Sequence, residues 1–155
     1  MPKKPDFELG SAHRYFSAEC FNRAWDLIEK PKRTVEDDQK MILLSLASLW
    51  HWTQRADCTP TNLSVGYWQA SRVYALAGQV ENARQYGLLC QKASQGEGVQ
   101  PFYRAYAYEA LARAEMVAGD HKKMTEYLQL AFHFAEQVVD PEEKKILSDD
   151  LNTIQ

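Results

Sequence analysis

Apolar residues recur at steps of three and four along most of the chain, the spacing that gathers them on one face of a helix. Six long runs of this kind, and a shorter seventh, are separated by brief polar breaks. The first predicted helix spans Ser11 to Glu29 and is stopped by Pro31. The second opens on a capping box, with Thr34 as N-cap and Asp37 three positions later, and runs to about Thr53 or Arg55. Its middle, MILLSLASLW, is apolar nearly all round, which predicts the most buried helix. Thr59 and Pro60 open the third, which runs to about Ala77; Gly78 supplies a left-handed exit. The fourth covers Val80 to Ser94. The stretch SQGEGVQ, with Gly96 and Gly98, has the composition of a flexible connection. Pro101 opens the fifth helix, which runs to Ala118 and is closed by Gly119. Asp120 caps a sixth from His121 to about Val138. Asp140, Pro141 and Glu143 then supply an N-cap, a first-turn proline and a capping-box acid for a seventh, ending near Asn152.

No alternating run is long enough for a strand. The expected fold is therefore all-α: six main helices in three antiparallel hairpins, and a short C-terminal helix that caps the open face of the last one. Residues 1–10, with Pro2 and Pro5 among charges, are expected to form a flexible arm, and 11–155 a single domain.

One pattern occurs twice. A helical run ends in Ala-Gly, a short polar break follows, and a second amphipathic run begins. The two breaks, Gly78 and Gly119, stand 41 positions apart. Repeated helical hairpins build stacked arrays, and such arrays present extended binding surfaces.

The segment from Tyr67 to Ala93 resembles a tetratricopeptide repeat. Tyr74, Gly78, Ala83 and Cys90 occupy that motif's aromatic, glycine and small-residue positions, with Cys90 in place of the usual alanine. In the second copy Leu111, Ala112, Gly119 and Ala131 fit, whereas Glu115 replaces the usual tyrosine and Met124 the usual alanine. The chain is also similar to a group of uncharacterised bacterial proteins, through His51-Trp52, Trp68 with Ser71 to Tyr74, and Ala107 to Ala114. The repeat resemblance implies a short array in which the first helix of each hairpin lines a concave groove.

Helical spacing can be tested against that implication. On the third helix Val65, Trp68, Arg72 and Ala75 share a stripe; on the fifth, Tyr106, Glu109 and Arg113 do. The opposite stripes are apolar or small: Leu63, Tyr67, Ala70 and Tyr74, then Ala107, Ala110, Leu111 and Ala114. The first helix adds Asn22 and Trp25. Asn22, Trp25, Trp68, Arg72, Tyr106, Glu109 and Arg113 are thus the candidate ligand-binding residues. Aromatic and arginine side chains anchor ligands well, and two arginines can grip a carboxylate or phosphate. The same residues have a structural alternative: Glu109 and Arg113 are four apart and can pair along the helix, Arg72 can reach Glu109 from the neighbouring hairpin, and Trp68 can belong to the core.

Composition narrows the classes. The chain is 45% hydrophobic and 25% charged with a net charge of −3, the profile of a globular protein without the basic face of a nucleic-acid binder. Three cysteines, Cys20, Cys58 and Cys90, have no CxxC spacing, so neither a disulfide framework nor a zinc site is expected. The opening MPKKPDFELG lacks the apolar stretch of a signal peptide, and MILLSLASLW is far short of a membrane span. A cytoplasmic location is expected, with no membrane or nucleic-acid partner.

Candidate chemistry is sparse. Ser48 shares a helical face with His51, but a nucleophilic serine also needs an orienting acid. His133 and Glu136 can share a metal only with further ligands, and the four histidines do not cluster in sequence. No catalytic residue, metal or cofactor is therefore expected. The expected function is a non-enzymatic interaction module that binds a peptide or protein segment in a groove lined by helices 1, 3 and 5. The alternative is a sensor or minor enzyme for a small anionic metabolite, with the same groove closed into a pocket by the seventh helix. Pairing of two copies through exposed aromatic surface on a terminal hairpin is compatible with either.

Overall fold

The computed structural model describes residues 1–155 and contains seven helices and no strand. They are α1 (Leu9–Ile28), α2 (Val35–Thr53), α3 (Pro60–Leu76), α4 (Val80–Ser94), α5 (Pro101–Ala118), α6 (His121–Glu136) and α7 (Pro141–Leu151). Local chemistry sets most of their ends. Thr34 and Asp37 form the expected reciprocal capping box. Thr59 forms a second one with Asn62, whose side-chain oxygen accepts from the Thr59 backbone N–H. Asp140 accepts from the N–H groups of Glu142 and Glu143. Gly78 and Gly119 have φ of 72° and 76°, the left-handed exit that a β-carbon would disfavour.

α1 begins at Leu9, inside the segment expected to be an arm. The cause is Glu8, whose carboxylate accepts from the N–H groups of Gly10 and Ser11 and so caps the helix two residues early. α6 stops at Glu136, short of the expected Val138.

Neighbouring helices pack in pairs, α1 with α2, α3 with α4 and α5 with α6. Contacts of α2 with α3 and of α4 with α5 join the hairpins into an array. α1, α3 and α5 also touch in a row, and α7 extends that row by packing on α5 and α6. Alanines allow the close approach: Ala75, Ala83 and Ala114 meet where α3, α4 and α5 converge. The largest apolar cluster joins α5, α6 and α7 through Ala105, Ala131, Ala135, Val138, Leu147 and Leu151. Fully burying Leu147 and Leu151 is worth about 1.5–3 kcal/mol for each side chain. α7 therefore covers the face of the last hairpin that has no following repeat.

Two expectations are corrected. α2 is not the most buried helix: its Leu43 and Trp50 are 67% and 55% exposed, because the first hairpin has a neighbour on one side only. That place belongs to α5, which is packed by α3, α4, α6 and α7 and buries an unbroken run from Glu109 to Glu115. The connection after α4 is packed as well. Val99 is buried, and Gly96 lies so close to α3 that a β-carbon there would stand 2.5 Å from Cβ of Pro60. No helix is long and apolar enough to cross a membrane.

Candidate functional site

Glu109 is the centre of a buried polar network in the middle of α5, with no exposed surface. Three donors from two helices converge on its carboxylate. Trp68 Nε1 donates to Oε2 at 2.8 Å, Arg72 Nη1 to Oε1 at 3.2 Å, and Arg113 Nε to the same Oε1 at 2.7 Å. The α3 and α5 stripes read from the sequence therefore meet, and their charged members meet each other. Arg113 turns Nη2 to the far wall, where it donates to the Asp150 carbonyl at 3.2 Å and to Thr153 Oγ1 at 2.9 Å. Burial draws the Arg72 pKa below the usual guanidinium range; the Glu109 carboxylate opposes this, and the nearby Arg113 cation adds to it. Arg72 Nε is buried without a partner.

Beside this network lies a cavity of about 260 Å³. Trp25 of α1 forms one wall, Ser64, Val65 and Trp68 of α3 the next, Phe102, Tyr103 and Tyr106 of α5 the third, and Ile146 and Asp150 of α7 the last. The aromatic rings brace one another. Trp25 stacks on Trp68 with centroids 5.6 Å apart, Trp68 meets Tyr106 edge to face at 5.5 Å, and Phe102 meets Tyr106 likewise at 5.0 Å. The Tyr106 hydroxyl donates to Asp150 Oδ2 at 2.5 Å. Its pKa is pushed well up, first by burial, then by that hydrogen bond and by the negative charges of Asp150 and Glu109, so the hydroxyl stays a donor.

The seven candidate residues therefore separate into three groups. Trp25, Trp68 and Tyr106 line the cavity. Arg72, Glu109 and Arg113 stand behind its wall, joined to each other in the pairing that helical spacing offered as their structural alternative. Asn22 lines an adjoining depression of about 230 Å³ with Phe21, Trp52, Thr61 and Asn62; Val65 and Tyr103 are common to both hollows. Sequence reasoning missed Ser64, Phe102, Tyr103, Ile146 and Asp150 as site residues. A signal was present for Phe102, which precedes Tyr106 by one helical step of four on the same stripe; Ile146 and Asp150 share a face of α7 by the same step, but nothing in the sequence places that face at this site.

Elsewhere, Ser48 and His51 do not act on each other. The Ser48 hydroxyl donates to the Ser17 carbonyl at 2.7 Å, and His51 Nδ1 lies 2.9 Å from His13 Nδ1. Two neutral imidazoles can share that contact, one donating and one accepting. His51 has its pKa lowered by burial first and then by the electrostatic influence of the neighbouring His13. His133 pairs with Gln137 on the exposed surface of α6.

No protein-family model, curated protein or solved structure matches this chain.

Proposed function

We propose that the protein is a non-enzymatic interaction module of tetratricopeptide-like build, acting in the cytoplasm. In this reading its ligand is a peptide or protein segment that inserts one compact side chain between α1, α3, α5 and α7. The observation that carries it is the cavity of about 260 Å³ walled by five aromatic side chains on α1, α3 and α5 and closed by Ile146 and Asp150 of α7. Concave, mostly apolar hollows with a few placed polar groups are the usual form of a ligand site. The unpaired state of the three cysteines supports a reducing compartment.

The anionic-metabolite alternative asked for a groove closed by the seventh helix, and α7 does wall the cavity through Ile146 and Asp150; it also needs a cationic group to meet the anion. Arg72 and Arg113 are both spent on Glu109, and the one charged side chain that lines the cavity is a carboxylate, so the geometry favours the module. Pairing of two copies through α1 and α2 is compatible with this reading, since Tyr15, Phe16 and Trp50 are exposed there. Sedimentation that shows only monomer across a wide concentration range removes it.

Ile146 offers a clean test because it is 55% exposed at the cavity rim. Ile146→Trp fills the entrance without removing a core side chain. Ligand-observed NMR against short peptides, each carrying one aromatic or branched apolar residue, should find binders of the wild type that lose at least tenfold in affinity with the variant. Binders indifferent to Ile146→Trp place the site elsewhere, and a peptide set without binders refutes the module.

A further inference from the structure

We propose that the cavity receives an alkylated ammonium group, either on a free small molecule or at the tip of an alkylated lysine side chain. The proposal rests on the cavity being the binding site, as above, and adds the charge of the occupant.

Three observations point to a cation. First, Trp25, Trp68, Phe102, Tyr103 and Tyr106 make most of the wall, and the faces of such rings attract a cation held against them. Second, Asp150 is the one ionisable acid among the lining residues. Its Oδ2 is held by the Tyr106 hydroxyl, while Oδ1 has no hydrogen-bond partner in the protein. Third, the two arginines nearest the cavity are both committed to a buried carboxylate. Arg72 and Arg113 both bond Glu109, which offsets one of their two charges, and the Asp150 carboxylate brings the group of four to neutrality without pairing with either arginine. A cation entering beside Asp150 thus meets a carboxylate rather than a net positive field. An anion would meet that carboxylate with no free guanidinium to offset it.

Size and hydration then select the kind of cation. About 260 Å³ accommodates a trimethylammonium head and a short tether but not a folded chain. A primary ammonium is strongly hydrated and would surrender several water hydrogen bonds on entry, with one carboxylate and few other acceptors to replace them. Alkylation removes those donors and spreads the charge over methyl groups that pack against rings.

The test compares each cation with its neutral carbon analogue. Choline is titrated beside 3,3-dimethylbutan-1-ol, and a peptide bearing trimethyllysine beside the same peptide with the all-carbon side chain. Both pairs are measured by calorimetry on the wild type, Ile146→Trp and Asp150→Asn. In Asp150→Asn the amide oxygen can still accept from Tyr106, so the shape is kept and the charge is lost; an unchanged circular dichroism spectrum verifies the fold. The expected result is at least tenfold preference for the cation, reduced to threefold or less by Asp150→Asn, with all binding lost in Ile146→Trp. A peptide cation that binds while choline does not assigns the group to a protein partner, and equal binding assigns it to a free small molecule. Carbon analogues that match the cations overturn the proposal but leave the apolar binding site standing. Absence of cation binding at millimolar concentration also overturns it, and the apolar peptides then decide the module separately.

Discussion

Glu109→Gln should destabilise the protein severely while changing almost no volume. The carboxylate is fully buried and accepts from Trp68, Arg72 and Arg113; the two arginine side chains are 19% and 9% exposed. A neutral amide offers one oxygen where the carboxylate offers two, and it cannot balance two cations. Removing one partner of a buried ion pair costs about 3–5 kcal/mol, since the remaining charge stays out of water. Arg72 keeps some solvent and Arg113 keeps its bonds to the Asp150 carbonyl and Thr153, which places the expected loss at the lower end, about 3 kcal/mol. For a chain of this length that is a fall in Tm of roughly 6–12 °C, at about 2–4 °C per kcal/mol. Urea unfolding followed by circular dichroism gives the free energy, and an unchanged slope with denaturant shows that the unfolded state is unaffected. A loss below about 1 kcal/mol, comparable to an exposed pair, would refute the network as the device that ties α3 to α5.

Two further outcomes follow from packing and protonation. Gly96→Ala should cost about 1–3 kcal/mol, because the added methyl meets the rigid Pro60 ring at the start of α3 and must separate the loop from the helix; a neutral effect in urea unfolding would show that this contact yields freely. Stability should also fall in mild acid. The folded-state pKa of His51 is depressed below the usual 6.5, so the folded state binds fewer protons than the unfolded one, and its contribution is present above pH 6.5 and lost as pH falls below it. His51→Gln should flatten that slope between pH 7.5 and 5, and a slope identical to the wild type would clear His51 of the effect.

Much of the array was legible because its punctuation is local. Thr34, Pro60, Gly78, Pro101, Gly119 and Pro141 each act within one turn of themselves, so a reader of the sequence can place the helix ends without knowing the packing. Burial is a property of neighbours, and there the same reasoning misfired. MILLSLASLW is richer in large apolar residues than α5, yet α5 is the buried helix, because its alanines let four helices crowd it. The stripes on α3 and α5 were legible for the same reason as the caps, through helical period. Their chemistry was not, since periodicity places Arg72 and Glu109 on facing stripes without saying whether water or a third side chain lies between them. Asp150 was beyond reach altogether: it belongs to the site only because α7 folds back onto α5, a contact between residues 44 apart in sequence.

The route taken by Arg113 has a mechanical consequence. Glu109 fastens α3 to α5, Arg113 fastens α5 to the chain's last residues, and Tyr106 fastens α5 to α7 through Asp150. Opposite walls of the hollow are thus riveted to one strut rather than hinged on separate ones. An occupant cannot be gripped by a local closing of one wall, and its binding energy is spread over the whole frame. A tight ligand would then announce itself as a uniform rise in the unfolding temperature of the entire chain, about 2.7 kcal/mol of added stability at a concentration one hundred times its Kd.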